Sequence, residues 1–359
     1  MKIGIIGCGT ISGAYFEGAK KTDILEIKAC ADIRQNAAIS QAEKYNCKSL
    51  TVEELLADSE IELVVNLTIP RVHVDVGIQV LNAGKHVYSE KPLGVDIESG
   101  KELINTAAEK GLRVGSAPDT FLGGGIQTSR LAIDTVKIGK PLAGTAFMCG
   151  HGPESWHPNP AFYYDIGGGP MLDMGPYYIT ALVNLLGPVK RVAAITTKAF
   201  EERIATSQAV NGLRIPVNTT THLTGVIEFE NGVIITMIMS FDMWRHSLPC
   251  IEIYGETGSL RVPDPNTFGG PVAICPAGGD WEDVPITFPN NARMIGVIDM
   301  VSAIQSDRIH RANGDLAYHV LDVMLAFDKS SESGEHVWIE STTERPAPLS
   351  SGLSEWEID

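Results

Sequence analysis

The stretch Lys2-Ile3-Gly4-Ile5-Ile6-Gly7-Cys8-Gly9-Thr10-Ile11-Ser12-Gly13 decides the fold. Its apolar run, Ile3, Ile5 and Ile6, reads as a buried strand, Gly7-Cys8-Gly9 as a tight turn, and Thr10-Ile11 as the opening of a helix. Gly7 lets the chain turn sharply, and Gly9, with no Cβ, lets a pyrophosphate approach the backbone. A helix beginning near Thr10 offers free N–H groups and a positive dipole end to phosphates. Ser12 stands where a third glycine is usual, and it is small enough for close packing of helix on strand. The next apolar run, 25–31, ends in Asp32. That acid lies near the roughly 20-residue spacing expected of the carboxylate that binds an adenosine ribose. A carboxylate there accepts from both ribose hydroxyls and repels a 2′-phosphate, so Asp32 favours NAD over NADP. Arg34 keeps NADP open, because a guanidinium binds a 2′-phosphate or stacks on adenine. The competing reading is a structural turn with Asp32 at the surface; strand, turn, helix and acid in register favour the dinucleotide.

Outward from this stretch, strands alternate with helix-like segments. Helices are predicted over 11–20, 36–45, 72–83 and 96–110, and strands over 25–31, 63–67, 86–88 and 112–115. Thr51 with Glu54 predicts a capping box for a helix over 52–57. This alternation predicts a doubly wound parallel sheet, whose ligands sit beyond the carboxyl ends of the strands. That rule selects the loops 7–12, 68–73 and 89–92. Thr68, Pro70 and His73 suit the ribose–phosphate side of a cofactor, against a reading in which His73 lies on the surface of a proline-started helix. Glu90-Lys91-Pro92 ends a strand, which places Lys91 at the active edge, where its charge can bind a substrate hydroxyl or favour a neighbouring anion.

The chain has 359 residues, which suggests two domains: a dinucleotide-binding domain over 1–120 and a substrate-binding and oligomerisation domain over 121–359. Hydrophobic content of 44% and charged content of 20% are those of a globular protein. A formal net charge of −16 argues against nucleic acid or an anionic membrane as partner. The six cysteines show no CxxC pair, so free, buried thiols and a cytoplasmic location are expected. The chain enters a strand at residue 2, so no signal peptide is expected, and no apolar run approaches membrane-spanning length.

After Pro118 the pattern changes. Strands are predicted over 143–149, 191–197, 223–229, 233–239, 250–255 and 259–262, with Asn231-Gly232 as a hairpin turn, followed by helices over 295–306 and 315–329. These predict an α+β domain with a large open, mainly antiparallel sheet. Met237 and Met239 share a strand face and read as core or interface. Before the late strands, Gly167-Gly168-Gly169-Pro170 opens a helix carrying Asp173 and Tyr177 four residues apart, hence on one face. A carboxylate and a phenol presented together suit proton transfer.

With these motifs in place the chain resembles the Gfo/Idh/MocA oxidoreductases, the glucose–fructose oxidoreductase and inositol dehydrogenase family. The resemblance rests on Gly7-Cys8-Gly9, Thr68-x-Pro70-x-x-His73, Glu90-Lys91-Pro92, the glycine run with Asp173, and a late helix followed by Ser330, Ser333-Gly334 and Val337. It implies an N-terminal Rossmann domain, a C-terminal open-sheet domain, and NAD(P)-linked oxidation or reduction of sugars and polyols. It implies cofactor contacts from Gly7, Gly9, Thr10, Ile11, Asp32, Arg34, Thr68, Pro70, His73, Glu90 and Lys91, and catalysis by Lys91, Asp173 and Tyr177. Many family dehydrogenases carry histidine four residues after the aspartate; here Tyr177 takes that place, as in the glucose–fructose oxidoreductase branch. The resemblance also implies a homodimer or homotetramer.

Trp156, His157, Asn159 and Tyr164 precede the glycine run. Aromatics suit stacking on a pyranose face and His157 and Asn159 suit hydroxyls, though loop packing or a subunit contact explains them equally. His151 and His157 have no supporting ligands at metal spacing, so no metal site is expected. Two other functions remain open at this point: a glycosidase that retains NAD, and a non-catalytic NAD(P)-binding regulator.

Overall fold

The computed structural model describes residues Met1–Asp359. The first half winds as β1 (Lys2–Ile6), α1 (Ser12–Ala19), β2 (Glu26–Ala31), α2 (Gln35–Tyr45), β3 (Lys48–Ser49), α3 (Val52–Ala57), β4 (Leu63–Asn66), α4 (His73–Asn82), β5 (His86–Ser89), α5 (Ile97–Lys110) and β6 (Val114–Ser116). These six strands are all parallel, in the order β3-β2-β1-β4-β5-β6. The order reverses at β1, the switch point of a Rossmann sheet, so the crevice beyond the carboxyl end of β1 is where a ligand is expected. Ile3, Ile5, Leu63, Val64, Val65 and Val87 are fully buried, because helices cover both faces. The capping box forms as its sequence predicts: Glu54 N–H donates to the Thr51 hydroxyl at 3.1 Å, and Thr51 N–H donates to the Glu54 carboxylate at 2.9 Å.

The second half holds α6 (Gly124–Asp134), β7 (Pro141–Cys149), α7 (Gly169–Leu186), β8 (Val189–Thr197), β9 (Glu202–Ile204), β10 (Arg214–Pro216), β11 (His222–Phe229), β12 (Ile234–Ser240), β13 (Ile251–Gly255), β14 (Gly258–Val262), β15 (Val272–Pro276), β16 (Glu282–Val284), α8 (Ile295–Ser306), α9 (Gly314–Ser333) and β17 (Val337–Trp338). Nine strands form one sheet, β16-β15-β14-β13-β7-β12-β11-β8-β17. It is antiparallel except at β12–β7, which run parallel, and β9 and β10 form a separate ribbon. The hairpin between β11 and β12 turns at Asn231-Gly232 as expected, with Gly232 at φ +87°. Leu223, Ile227, Ile235, Met237 and Met239 point to the face covered by α7, while Ile195, Val226 and Ile234 lie on the opposite face and are exposed.

Chain contacts divide the molecule into two units. The first comprises Met1–Gln127, Thr287–Leu321 and Pro346–Asp359; the second comprises Thr128–Ile286 and Asp322–Arg345. A single cut at residue 120 is therefore replaced by a chain that returns to its first unit twice. The physical reason lies in buried polar bonds that local sequence does not announce. Asp119, wholly buried, accepts from Arg293 at 3.0 Å and from the backbone of Met294 and Gly296, so it fastens the start of α8 to the first unit. Arg311 bonds Asp299 and donates to the Pro348 carbonyl and the Asp359 carboxylate, which ties down the polar tail.

The thiols also differ from expectation. All six are free, but only Cys8 and Cys30 are buried; Cys47, Cys149, Cys250 and Cys275 are half-buried. Cys47, Cys149, Cys250 and Cys275 sit at strand ends and connections, where an apolar neighbourhood in sequence does not guarantee cover in space.

Candidate active site

In the first unit the predicted cofactor residues gather along the carboxyl edge of the sheet. Gly7 has φ +102°, and a Cβ there would lie 2.5 Å from the Leu67 carbonyl, so only glycine allows β1 to turn against the exit of β4. A Cβ on Gly9 would meet nothing within 4 Å; it would stand in the open space before α1 that a pyrophosphate needs. Thr10 and Ile11 are exposed at that helix start, where Ile11 supplies no side-chain cap and leaves N–H groups available. Ser12 is buried where the third glycine usually packs helix on strand, and its hydroxyl donates to the Gly9 carbonyl at 2.7 Å, which fixes the turn.

Asp32 is 9% exposed at the end of β2. One carboxylate oxygen accepts from Cys8 N–H and the other from Arg34 N–H, both at 2.8 Å. These bonds orient the carboxylate and leave lone pairs for a pair of hydroxyls. The Arg34 side chain is 72% exposed, with its Nε 3.5 Å from Asp32. An anchored acid and a glycine turn with space before it fit the NAD adenosine and pyrophosphate; Asp32 would hold the ribose, and the turn 7–12 the phosphates.

His73 departs from its expected role. It is buried, and its Nδ1 and Nε2 face the carbonyls of Pro92 at 2.7 Å and Thr68 at 3.0 Å. Burial lowers its pKa, countered by these two carbonyls. With both ring nitrogens engaged, His73 joins two loops and holds them in register. Thr68 donates to Asn66 at 2.7 Å, and Pro70 starts a short 3-10 turn at residues 70–72. Glu90, buried, accepts from the Tyr15 hydroxyl at 2.8 Å and from Lys91 N–H at 3.1 Å. Lys91 is half-buried and joined to Pro92 by a cis bond.

In the second unit, α7 carries the predicted proton-transfer pair. Gly169, at φ +83°, brings the helix start so close that a Cβ would lie 2.7 Å from the Thr220 carbonyl. Asp173 is half-buried and Tyr177 is 7% exposed, one turn apart on the same face. Pro176 inside α7 offers no N–H to the Leu172 carbonyl.

The segment before α7 is organised by a buried polar knot. Arg203 pairs with Glu154 through Nε and with Asp242 through a terminal nitrogen at 2.8 Å; Thr221 donates to Asp242 at 2.7 Å. Tyr164, wholly buried, donates to Glu154 at 2.6 Å, and burial, reinforced by that bond, drives its pKa upward. Tyr164 is therefore turned inward onto Glu154, contrary to its expected place against a substrate: the sequence showed its aromatic character and hid the acid that claims its hydroxyl. Trp156 is 65% exposed, its ring and that of His157 packed edge to face with centroids 5.3 Å apart, and Asn159 N–H donates to His157 Nδ1 at 3.0 Å. Sequence reasoning missed Glu154, Arg203 and Asp242, as well as Tyr15; their partners lie far along the chain.

Comparison with known proteins bears on the family and the fold. Residues 1–117 match the oxidoreductase family with an NAD-binding Rossmann fold, and residues 126–261 match the Gfo/Idh/MocA C-terminal domain. The 1,5-anhydro-D-fructose reductase of Ensifer adhaerens is 25% identical over 347 residues, covering 94% of this chain and 98% of that protein. The myo-inositol 2-dehydrogenase of Thermotoga maritima is 23% identical over 263 residues, covering 72% and 74%. The fold is shared with a levoglucosan dehydrogenase solved with NADH, at a TM-score of 0.79 and 18% identity over 95% of this chain and 99% of that one. With both of its characteristic domains matched in order, this chain belongs to the Gfo/Idh/MocA family of NAD-binding oxidoreductases.

Proposed function

We propose that this protein is an NAD-dependent dehydrogenase or reductase acting on a carbinol or carbonyl of a sugar, glycoside or polyol. The observation that carries the reading is the end-to-end match to a reductase of 1,5-anhydro-D-fructose, joined to an anchored Asp32. Bound NAD supplies the hydride acceptor or donor. The chain positions the carbinol and moves its proton. Tyr177 accepts the hydroxyl proton during oxidation and returns it during reduction. A free phenol, with pKa about 10, is a poor base at neutral pH, and positive charge brought beside it favours its phenolate. Lys91 bonds the reacting oxygen, and Asp173 bonds a neighbouring hydroxyl. Trp156, His157 and Asn159 contribute an aromatic surface and hydroxyl partners. Tyr164 shapes that segment from behind.

A homo-oligomer fits the second unit, whose open sheet face shows Ile195 at 71% exposure beside Val226 and Ile234. Light scattering on purified protein tests this: a dimer or tetramer supports it, a monomer at micromolar concentration contradicts it. No helix is long and apolar enough to cross a membrane, and six free thiols suit a reducing cytoplasm.

The functional test mixes purified protein with NAD⁺ or NADP⁺ and a panel of sugars, glycosides and inositols, then follows the absorbance of the reduced nicotinamide. Growth with NAD⁺ and one substrate class supports the reading. Silence across the panel, repeated with NADH and the corresponding carbonyl compounds, contradicts it.

A further inference from the structure

We infer that Tyr15 is a positioning residue for Lys91, acting through Glu90; this rests on the proposed role of Lys91 in hydride transfer. Tyr15 lies on α1, the helix that follows the dinucleotide turn, and is wholly buried. Its hydroxyl spans 75 residues of sequence to donate to Glu90 at 2.8 Å. Burial, then the Glu90 charge, raises the phenol's pKa far above the ordinary value, so it stays a donor. The other Glu90 oxygen accepts from Lys91 N–H, and Glu90 N–H donates to the Asn66 carbonyl at 2.8 Å. On the far side of the lysine, His73 meets the Pro92 carbonyl. Lys91 is thus held between two residues, each gripped by a buried side chain: one from α1, the other from the first residue of α4.

The two grips are not equivalent. A carboxylate that loses a buried donor keeps its charge and its need for a partner. Without the Tyr15 hydroxyl, Glu90 is drawn to other donors, and the Lys91 backbone it holds moves with it. The dinucleotide turn and Asp32 do not depend on this bond, so cofactor affinity survives while the placement of the lysine fails.

Tyr15→Phe separates these effects. We expect kcat to fall by about tenfold to a hundredfold, the scale of an ångström-sized misplacement. NADH binding, read by fluorescence titration, stays at the wild-type affinity. In protein labelled with ¹³C at lysine Cε, without substrate or cofactor, the Lys91 resonance (assigned with Lys91→Arg) shifts while that of Lys110 does not. In a Glu90→Ala background, Tyr15→Phe lowers kcat no further; should Glu90→Ala fail to fold, Glu90→Gln replaces it and shrinks the Tyr15 effect. A wild-type rate and an unmoved Lys91 resonance in Tyr15→Phe overturn the inference, as do independent, multiplying losses in the double variant. Lys91→Met turning over at the wild-type rate overturns the functional reading and the inference together. An inactive Lys91→Met beside a fully active Tyr15→Phe overturns the inference alone.

Discussion

The cofactor edge of the first unit and the polar knot of the second both fix loops that carry candidate functional groups, by opposite means. At its dinucleotide turn the edge is built within one βαβ unit: Gly7, Gly9 and the Cys8 amide, with Asp32 as the charged anchor. The knot is built from distant partners. Arg203 reaches 49 residues to Glu154 and 39 to Asp242, and it pulls the segment before α7 into place. A turn held by backbone and one carboxylate tolerates the loss of one contact. A buried charge cluster does not, because each deletion strands a charge. Chemistry and architecture in the second unit should therefore be more sensitive to single substitutions than the cofactor edge.

Tyr177→Phe should show the largest effect. Loss of a positioned acid/base costs typically about 10²- to 10⁴-fold in kcat. NADH binding by fluorescence should remain, since the cofactor edge belongs to the other unit. Turnover near the wild-type rate would remove the phenol from the mechanism and leave the second unit with a structural role alone.

Next comes Arg203→Leu, which strands Glu154 and Asp242, both at most 10% exposed in their side chains. Breaking a buried pair costs on the order of 3–5 kcal/mol. Denaturant unfolding should report that loss, and Glu154→Gln/Arg203→Leu should recover part of it. A loss below about 1 kcal/mol, the range of surface pairs, would show that the knot is solvated and would erase the contrast.

Asp32→Ala should be milder: about tenfold to a hundredfold weaker NADH binding, the scale of one or two hydrogen bonds to a charged group. The NAD-over-NADP preference should narrow with it. Unchanged preference would move cofactor selection from Asp32 to Arg34. The smallest effect belongs to Thr51→Ala, which removes one half of the capping box and should cost about 1 kcal/mol without touching activity.

The same contrast explains what was readable in the sequence. Asp32 and the Thr51–Glu54 box were legible because their partners fall within one βα unit. The Asn231-Gly232 turn was legible because two residues suffice to define it. Tyr164 was misread, since nothing beside it in sequence names Glu154 as its acceptor. His73 was identified as important from its motif, but its engagement with Pro92, 19 residues on, appears only in space. Tyr15 falls inside the predicted helix 11–20 with no motif around it, and its acceptor stands 75 residues away. The returns of 287–321 and 346–359 to the first unit were hidden for the same reason: Asp119 and Arg311 make those attachments across long separations.

The most direct measurement of the central claim follows a substrate bearing deuterium at its carbinol carbon, mixed with NAD⁺ and analysed by mass spectrometry of the recovered cofactor. Hydride transfer predicts one deuterium in the reduced nicotinamide for each carbonyl product formed. Product formed with an unlabelled cofactor, or deuterium lost to water, would contradict it.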